Sequence, residues 1–516
     1  MKSYPAFVKP KKESVEVKPC KWWIWVALIV VFFFGLTGRF YDLDDAPLDF
    51  HPTRQLHSML IARGMYYENL EGAPAWQREL AVGQRQAEGI IEPPIMERFS
   101  ALLYRVVRQD DLRVPRVLSI LFWTLGGIGL WLLLKDLVGG EGVVVGLAYY
   151  MVLPYALYAS RAFQPEPLMT GAIIWAWWGM LKWYKQHTWK WTIIAGLLAG
   201  FAIFVKSPAV FFIAPAWLGL ILTDQGLLKA IRNRQVWVLV LLTILPYALY
   251  HVYGVYIAAF LGSQFSLRFF PELWKDVFHY LQWTDMIDKT LGLEFVIIAF
   301  LGTLVIREKA LRVLFLCVWL GYFLYGMVFS YHIITHDYYQ IPFVPVVALG
   351  LAAGAAVLFS NIKVKRWFFY LLLSGVLFFW MAINFWDARM TLKHSVYKEE
   401  PAFWSMLGEK LQNGAVISIT PDYGYRLAYW GWKTSENWMS LGDFTYRELA
   451  GQELDKASLF HETVQGKDYF LVTNFSEFDR QLDVKKVLYE GYAILDSEER
   501  YVIFDLQQPL SEAGEP

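Results

Sequence analysis

Between Tyr41 and Tyr104 the sequence gathers side chains that can move protons and hold anions. Asp42, Asp44, Asp45 and Asp49 form an acidic run, and His51, Arg54 and Gln55 follow it. Glu92 stands directly before Pro93 and Pro94. A carboxylate here can serve as a general base, and arginine or lysine can neutralise a phosphate through charge-assisted hydrogen bonds. The paired prolines forbid regular helix and fix an extended lead into the next segment. For Asp42 and Asp44, plain solvation of a polar surface is the competing account; it fits Asp49, flanked by a histidine and an arginine, less well. Arg108 to Asp111 reads as a solvated connector.

More groups of this kind recur further along. Arg161 and Glu166 lie in Ala159–Pro167, Lys206 in Val205–Pro208, and His332, His336, Asp337, Tyr338 and Tyr339 in a short aromatic stretch before Pro342. Each borders an apolar run, so each could simply snorkel to lipid headgroups; Lys206 alone fits that account as well as a functional one. His332 and His336 are four residues apart but lack an HExxH frame, so their spacing does not mark a zinc site. A divalent metal stays open without a ligand pattern to place it. No Walker A or dinucleotide fingerprint occurs.

The elements that must position these groups are membrane helices. The chain has 516 residues, of which 56% are hydrophobic and 18% charged; its mean hydropathy is +0.33. A soluble protein needs more polar surface than that. Many apolar runs approach the ~20 residues that cross a bilayer. Trp22–Leu36 is the first, retained rather than cleaved, and runs near 115–134, 142–158, 165–183, 191–205, 208–223, 236–258, 291–306, 313–331, 341–359 and 366–386 follow. About eleven spans result. Lysines 2, 9, 11, 12, 18 and 21 precede the first, which predicts a cytoplasmic N-terminus. Four of the five connections then placed inside are rich in Lys and Arg. The connections 41–113, 159–164, 206–207, 259–290 and 332–340 face outside and hold most loop carboxylates and histidines. One topology thus brings the acids, Arg161, Lys206 and the histidines to a single face. A zero net charge gives no reason to expect nucleic acid as a partner.

Residues 1–21 read as a cytoplasmic tail, 22–386 as the membrane domain with 41–113 as its catalytic loop, and 387–516 as a polar α/β domain on the outer side. Leu56–Tyr67 and Met96–Val107 are apolar on one side, as interfacial helices are. In the polar part Val416–Ile419, Asp468–Thr473 and Tyr501–Phe504 predict strands and Phe403–Leu411 a helix. The two cysteines, Cys20 and Cys317, lie outside that part, so it contains no disulfide of its own.

The order of several short motifs resembles the GT-C membrane glycosyltransferases, specifically the protein O-mannosyltransferase and aminoarabinose-transferase superfamily in its bacterial form. They are Ile61-Ala62-Arg63-Gly64-Met65, Glu92-Pro93-Pro94, Arg116-Val117-Leu118-Ser119, Leu153-Pro154 through Glu166-Pro167, Gly196 to Pro208, His336 to Tyr339, and Pro421 to Trp432. The resemblance implies a polytopic α-helical fold of about eleven spans with an extracytoplasmic C-terminal α/β domain, in a bacterial plasma membrane. It implies transfer of a sugar from a polyprenyl-phosphate donor to a protein, lipid or glycan acceptor, with inversion assisted by an acid of the first loop. Asp49 and Glu92 are the catalytic candidates, Asp49 as base. Glu92 and Glu166 would hold hydroxyls, Lys206, Arg161 and His336 the departing phosphate, and His51, Arg54, Gln55, Tyr338 and Tyr339 the substrates. One departure stands out: Arg54-Gln55 occupies the place of the family's usual Asp-Glu pair. A transporter or flippase of lipid-linked sugars is the alternative, and a scaffold with a vestigial loop a third reading.

Overall fold

A computed structural model describes residues 22–90, 92–138, 140–261, 269–361, 366–452 and 454–510. The N-terminal lysines and Cys20 lie outside these residues, as does most of the basic connection near 362–365. Helix α1 (Trp22–Phe40) leads into the first loop, which folds into α2 (Pro52–Tyr67), α3 (Ala75–Ala87) and α4 (Ile95–Val107). Next come α5 (Arg113–Leu137), α6 (Gly140–Val152), the short α7 (Pro154–Ala159), α8 (Glu166–Gln186), α9 (Trp189–Val205) and α10 (Ala209–Gln225). Helices α11 (Leu227–Arg232), α12 (Arg234–Val252), α13 (Val277–Leu291), α14 (Leu293–Leu304), α15 (Lys309–Val328), α16 (Ser330–Thr335), α17 (Val344–Asn361) and α18 (Arg366–Leu392) complete the helical part.

Six stretches are helical, long and apolar enough to cross a membrane: Trp22–Phe40, Arg113–Leu137, Arg234–Ile257, Lys309–Val328, Asp337–Asn361 and Phe368–Leu392. The shorter apolar helices α6, α9, α10 and α14, together with α8, fill the remaining runs read from the sequence. This is a multi-pass membrane protein. Its interior packs on small residues. A Cβ on Gly302 of α14 would collide with the Gly350 carbonyl of α17, and one on Gly200 of α9 with the Leu242 carbonyl of α12. Backbones in contact at these points are how helices associate where no hydrophobic effect separates them from lipid.

Beyond α18 the chain forms an α/β unit. Helices α19 (Glu400–Lys410), α20 (Tyr425–Trp430), α21 (Leu441–Leu449), α22 (Lys456–Val464), α23 (Phe475–Arg480) and α24 (Leu482–Gly491) alternate with β1 (Val416–Ile419), β2 (Ser435–Asn437), β3 (Tyr469–Val472), β4 (Tyr492–Glu498) and β5 (Tyr501–Pro509). The sheet order is β2-β1-β3-β5-β4. The first three strands are parallel and the last two antiparallel to their neighbours. Register pairs Ile417 with Phe470 and Phe470 with Phe504, and these three sit in one buried cluster with Trp438.

Two parts of the structure aim side chains at one end of the bundle. The hairpin between α9 and α10 turns at Lys206-Ser207-Pro208, with Lys206 extended at the end of α9 and Pro208 opening α10. Between α7 and α8, residues Ser160 to Gln164 run irregularly although they are buried. Buried irregular backbone needs partners. Arg39 of α1 donates to the carbonyls of Met151 (2.6 Å) and Ala156 (3.1 Å) and to the Ser160 hydroxyl (2.7 Å), and Gln55 accepts from the Phe163 amide (2.9 Å).

Candidate functional site

The N-terminal turn of α2 lies at the centre of the site. His51 precedes it with φ 42, a left-handed conformation unusual for a residue bearing a Cβ, and Pro52 then starts the helix. Held this way, His51 places Nε2 2.6 Å from Asp337 Oδ1. The Tyr155 hydroxyl donates to the Asp337 carbonyl at 2.6 Å, which ties α7 to the same point. His336 lies beside His51 with ring centroids 6.3 Å apart. Burial, then the neighbouring His51 and Arg54, push the His336 imidazole down to about 4, so it is uncharged at neutral pH.

One turn into α2, Arg54 meets three other chain segments. Its Nη1 donates to the Tyr338 hydroxyl at 3.2 Å, and its guanidinium lies 4.5 Å from the Tyr338 ring centroid. Its Nη2 is 3.5 Å from Glu166 Oε1 and 4.0 Å from Glu92 Oε1. Lys206 joins from the α9–α10 turn: it donates to Glu166 Oε1, lies 3.2 Å from Glu92 Oε1 and 5.5 Å from the Tyr338 ring centroid. Two cations and two carboxylates thus converge on one tyrosine face. Glu166 Oε2, Arg54 Nε and both amide atoms of Gln164 are buried and lack hydrogen-bond partners. Buried orphan polar atoms are rare in finished interiors, and each is open to a further polar partner; Arg116 Nε and Nη2 and Arg161 Nε are orphans of the same kind.

Asp49 lies in a different surrounding. Arg161 Nη2 donates to its Oδ2 at 2.5 Å, and Arg116 Nη2 stands 3.6 Å away. Both arginines are buried, and they also bind the carbonyls of Tyr41 (Arg161), Leu43 and Asp45 (Arg116, at 2.9 and 2.8 Å). Asp49 and Arg161, expected to face an acceptor and a phosphate, are bound here to each other and to the loop backbone. The other acids are similarly engaged, Asp42 with Lys393 (2.8 Å), Asp45 with the Tyr397 amide (3.1 Å) and Asp44 with Arg113 (3.2 Å). Gln55 is also internal, donating to the carbonyls of Pro47 (3.2 Å) and Phe50 (2.6 Å). Tyr339 stacks on Tyr325 at 5.4 Å, behind Tyr338. Asp110, taken from sequence as part of a solvated connector, binds the buried Arg63 at 2.8 Å.

The C-terminal unit closes over α2. Thr53 donates to Asp422 at 3.2 Å, Tyr425 donates to Glu88 at 2.9 Å, and Arg63 donates to the Tyr429 carbonyl at 2.6 Å. The Arg63 guanidinium lies between the rings of Tyr429 (3.6 Å) and Trp432 (4.4 Å). Burial raises Glu88 to about 7, against its hydrogen bond from Tyr425, and burial together with Arg54 lowers the nearby His57. Asp422 and Tyr423 both hold φ 56, a single left-handed turn before Gly424. Sequence reading overlooked Glu88, His57, Asp422 and Tyr425; a spacing of three to four residues in 422, 425, 426 and 429 was the available signal. Among the described residues no three His, Cys, Asp or Glu side chains group as metal ligands do.

The fold compares directly with solved structures. ArnT from Cupriavidus metallidurans bound to undecaprenyl phosphate superposes with a TM-score of 0.58 at 13% identity, covering 96% of this chain and 99% of that one. The chain has the GT-C fold. The GT-C oligosaccharyltransferase AglB from Archaeoglobus fulgidus, in complex with an inhibitory peptide and a dolichol-phosphate, gives 0.55 at 12% identity over 94% of this chain and 74% of that one. Arabinofuranosyltransferase AftD from Mycobacteria gives 0.50 at 14% identity, over 88% of this chain and 36% of that one. Residues 92–253 match the family described as dolichyl-phosphate-mannose-protein mannosyltransferase, a segment that carries Glu92, Arg161, Glu166 and Lys206. No curated protein sequence matches.

Proposed function

We propose that this protein is an integral membrane glycosyltransferase that moves a sugar from a polyprenyl-phosphate donor to an acceptor hydroxyl or amide on the extracytoplasmic side. The observation that carries the proposal is the convergence of Arg54 and Lys206 on Glu92 and Glu166 beneath Tyr338. ArnT and AglB, which share the fold, are described with undecaprenyl phosphate and dolichol-phosphate bound. A lipid phosphate entering here meets two cations. As it binds Lys206 and Arg54 it draws them away from Glu92, whose carboxylate then becomes the stronger base. Glu92 takes the acceptor's proton as the acceptor attacks the sugar's anomeric carbon, and the bond from that carbon to the phosphate oxygen breaks. The configuration inverts, and polyprenyl phosphate leaves with its new charge on Lys206 and Arg54. Glu166 holds Lys206 in place, and Asp49 holds the loop through Arg161 and Arg116. His51, oriented by Asp337, lines the acceptor side. The lysine excess in the N-terminal tail supports a cytoplasmic N-terminus.

The experiment is transfer from a radiolabelled polyprenyl-phosphate sugar by the purified chain in detergent. Without two compartments a transporter yields no product. Release of polyprenyl phosphate with label on an acceptor is the expected outcome; bound donor that is never consumed overturns the reading.

A further inference from the structure

The far end of α4 carries a second polar feature, unconnected with the chemistry above. Helix α4 begins at Pro94, beside Glu92, and ends thirteen residues on, ~20 Å away at 1.5 Å per residue. Its buried face holds Met96, Glu97, Ser100, Ala101 and Tyr104, with Glu97 accepting from Ser58 at 2.7 Å, while Phe99, Leu102, Leu103, Val106 and Val107 are exposed, Val106 by 75%. A helix with its large apolar residues outward lies in a lipid interface. Arg98 and Arg105, seven residues apart, share one edge of that apolar face. Arg108 caps the helix with φ 61.

At this end a cleft of about 640 Å³ opens, lined among others by Tyr66, Tyr67, Gln77, Arg105, Arg108 and Gln109. The carboxylates nearby are already taken. Asp110, on its wall, is bound by Arg63 at 2.8 Å, and Glu68 receives two hydrogen bonds from Arg85 at 2.9 Å. Among the described residues no carboxylate is paired with Arg105 or Arg108; Arg105 donates to the Met65 carbonyl at 3.4 Å. Two guanidinium groups outside any ion pair, Arg105 within electrostatic reach of Glu68, ringed by phenol and amide donors at the edge of an apolar interfacial face, complement an amphiphile with an anionic head.

We propose that this cleft binds the phosphate headgroup of an anionic membrane phospholipid, whose acyl chains lie along Phe99, Leu102 and Val106. Arginine suits the role because its planar fork matches phosphate oxygens in pairs. Because α4 joins this cleft to Glu92 and Pro94, a lipid held here fixes the membrane depth and tilt of the segment that carries Glu92.

The test uses the purified full chain in detergent, with bound lipid counted by native mass spectrometry during titration with phosphatidylglycerol or phosphatidylcholine. Phosphatidylglycerol should bind preferentially. R105Q/R108Q should weaken it on the order of 30-fold, as expected for two arginines near an anionic surface, while R105K/R108K keeps most of the preference. Arg108→Asn, whose side chain tolerates the left-handed backbone, serves as the variant that preserves the fold. It should lose part of the preference by itself. Equal binding of the two lipids, unchanged phosphatidylglycerol binding in both R105Q/R108Q and Arg108→Asn, or full displacement by inorganic phosphate would each overturn the proposal.

Discussion

Two charged clusters flank the start of α2, and they are built differently. Around Asp49 two buried arginines face one carboxylate, and one nitrogen of each binds loop carbonyls, those of Tyr41, Leu43 and Asp45, while Arg161 Nε and Arg116 Nε and Nη2 have no hydrogen-bond partner. Around Glu166 the charges are shared among Arg54, Lys206 and Glu92 and leave buried polar atoms without partners. The first arrangement ties its arginines to the loop backbone, so it fixes the shape of the loop. The second is a set of ions with capacity for one more anion. Richness in acids therefore does not locate chemistry. What distinguishes the second cluster is that its cations and carboxylates, drawn from separate segments, meet one another beside an aromatic wall.

Substitutions that keep size and remove charge should separate the clusters. Glu92→Gln should cut sugar transfer by ~10²–10⁴-fold, the usual scale for loss of a general base, with thermal unfolding in detergent little changed. Asp49→Asn should do the reverse. Removing one partner from a buried ion cluster costs ~3–5 kcal/mol, so this variant should unfold at markedly lower temperature and lose activity only in step with folded protein. A folded, inactive Asp49→Asn would restore Asp49 as the base and break the comparison.

The helical part was legible in the sequence because apolar runs near bilayer length report spans directly: α8 and α9 fall on runs read as 165–183 and 191–205. Strands β1 and β3 were legible for a similar reason, being short apolar segments between turn residues. Helix α3 was not, since it is polar on average and buries only Ala81 and Gln84. In the site, Lys206, Glu166, Arg54 and Tyr338 were found as types bordering spans. Their pairing was not, because which carboxylate meets which cation is decided by packing between segments well separated in sequence, 40 residues for Lys206 and Glu166 and more for others. For the same reason Asp49 looked free: its partners Arg116 and Arg161 come from α5 and the α7–α8 segment.

A smaller effect concerns the contact between α2 and the C-terminal unit, which shares neither character fully. Arg63 is saturated by Asp110 and the Tyr429 carbonyl, yet it also stacks between two rings. Arg63→Lys keeps the charge and loses the planar stacking, worth about 2 kcal/mol when desolvated. Limited proteolysis should release the C-terminal unit faster in this variant, with the helical core intact; equal rates would show that the rings contribute nothing.

The smallest expected effect is a slope with pH at the neighbouring contact, where Glu88 accepts from Tyr425 and stands 3.4 Å from His57. Burial raises the Glu88 carboxyl from its ordinary 4.5 to about 7. Between those values the folded chain holds a proton that the unfolded chain has released. Stability through Glu88 therefore falls as pH rises from about 4.5 to about 7. His57 acts in the opposite sense. Its folded value lies below 6.5, so the unfolded chain takes up the proton first and stability is lost as pH falls below 6.5. The two slopes partly cancel in the native protein. Glu88→Gln mimics the protonated acid at every pH and leaves the His57 slope alone. The variant's melting temperature relative to native should thus climb steadily from mild acid to pH above 7, the reverse of what loss of an ion-paired carboxylate produces. A constant difference across that range would place Glu88 with the ion-paired acids around Asp49, as an ordinary charged partner of His57.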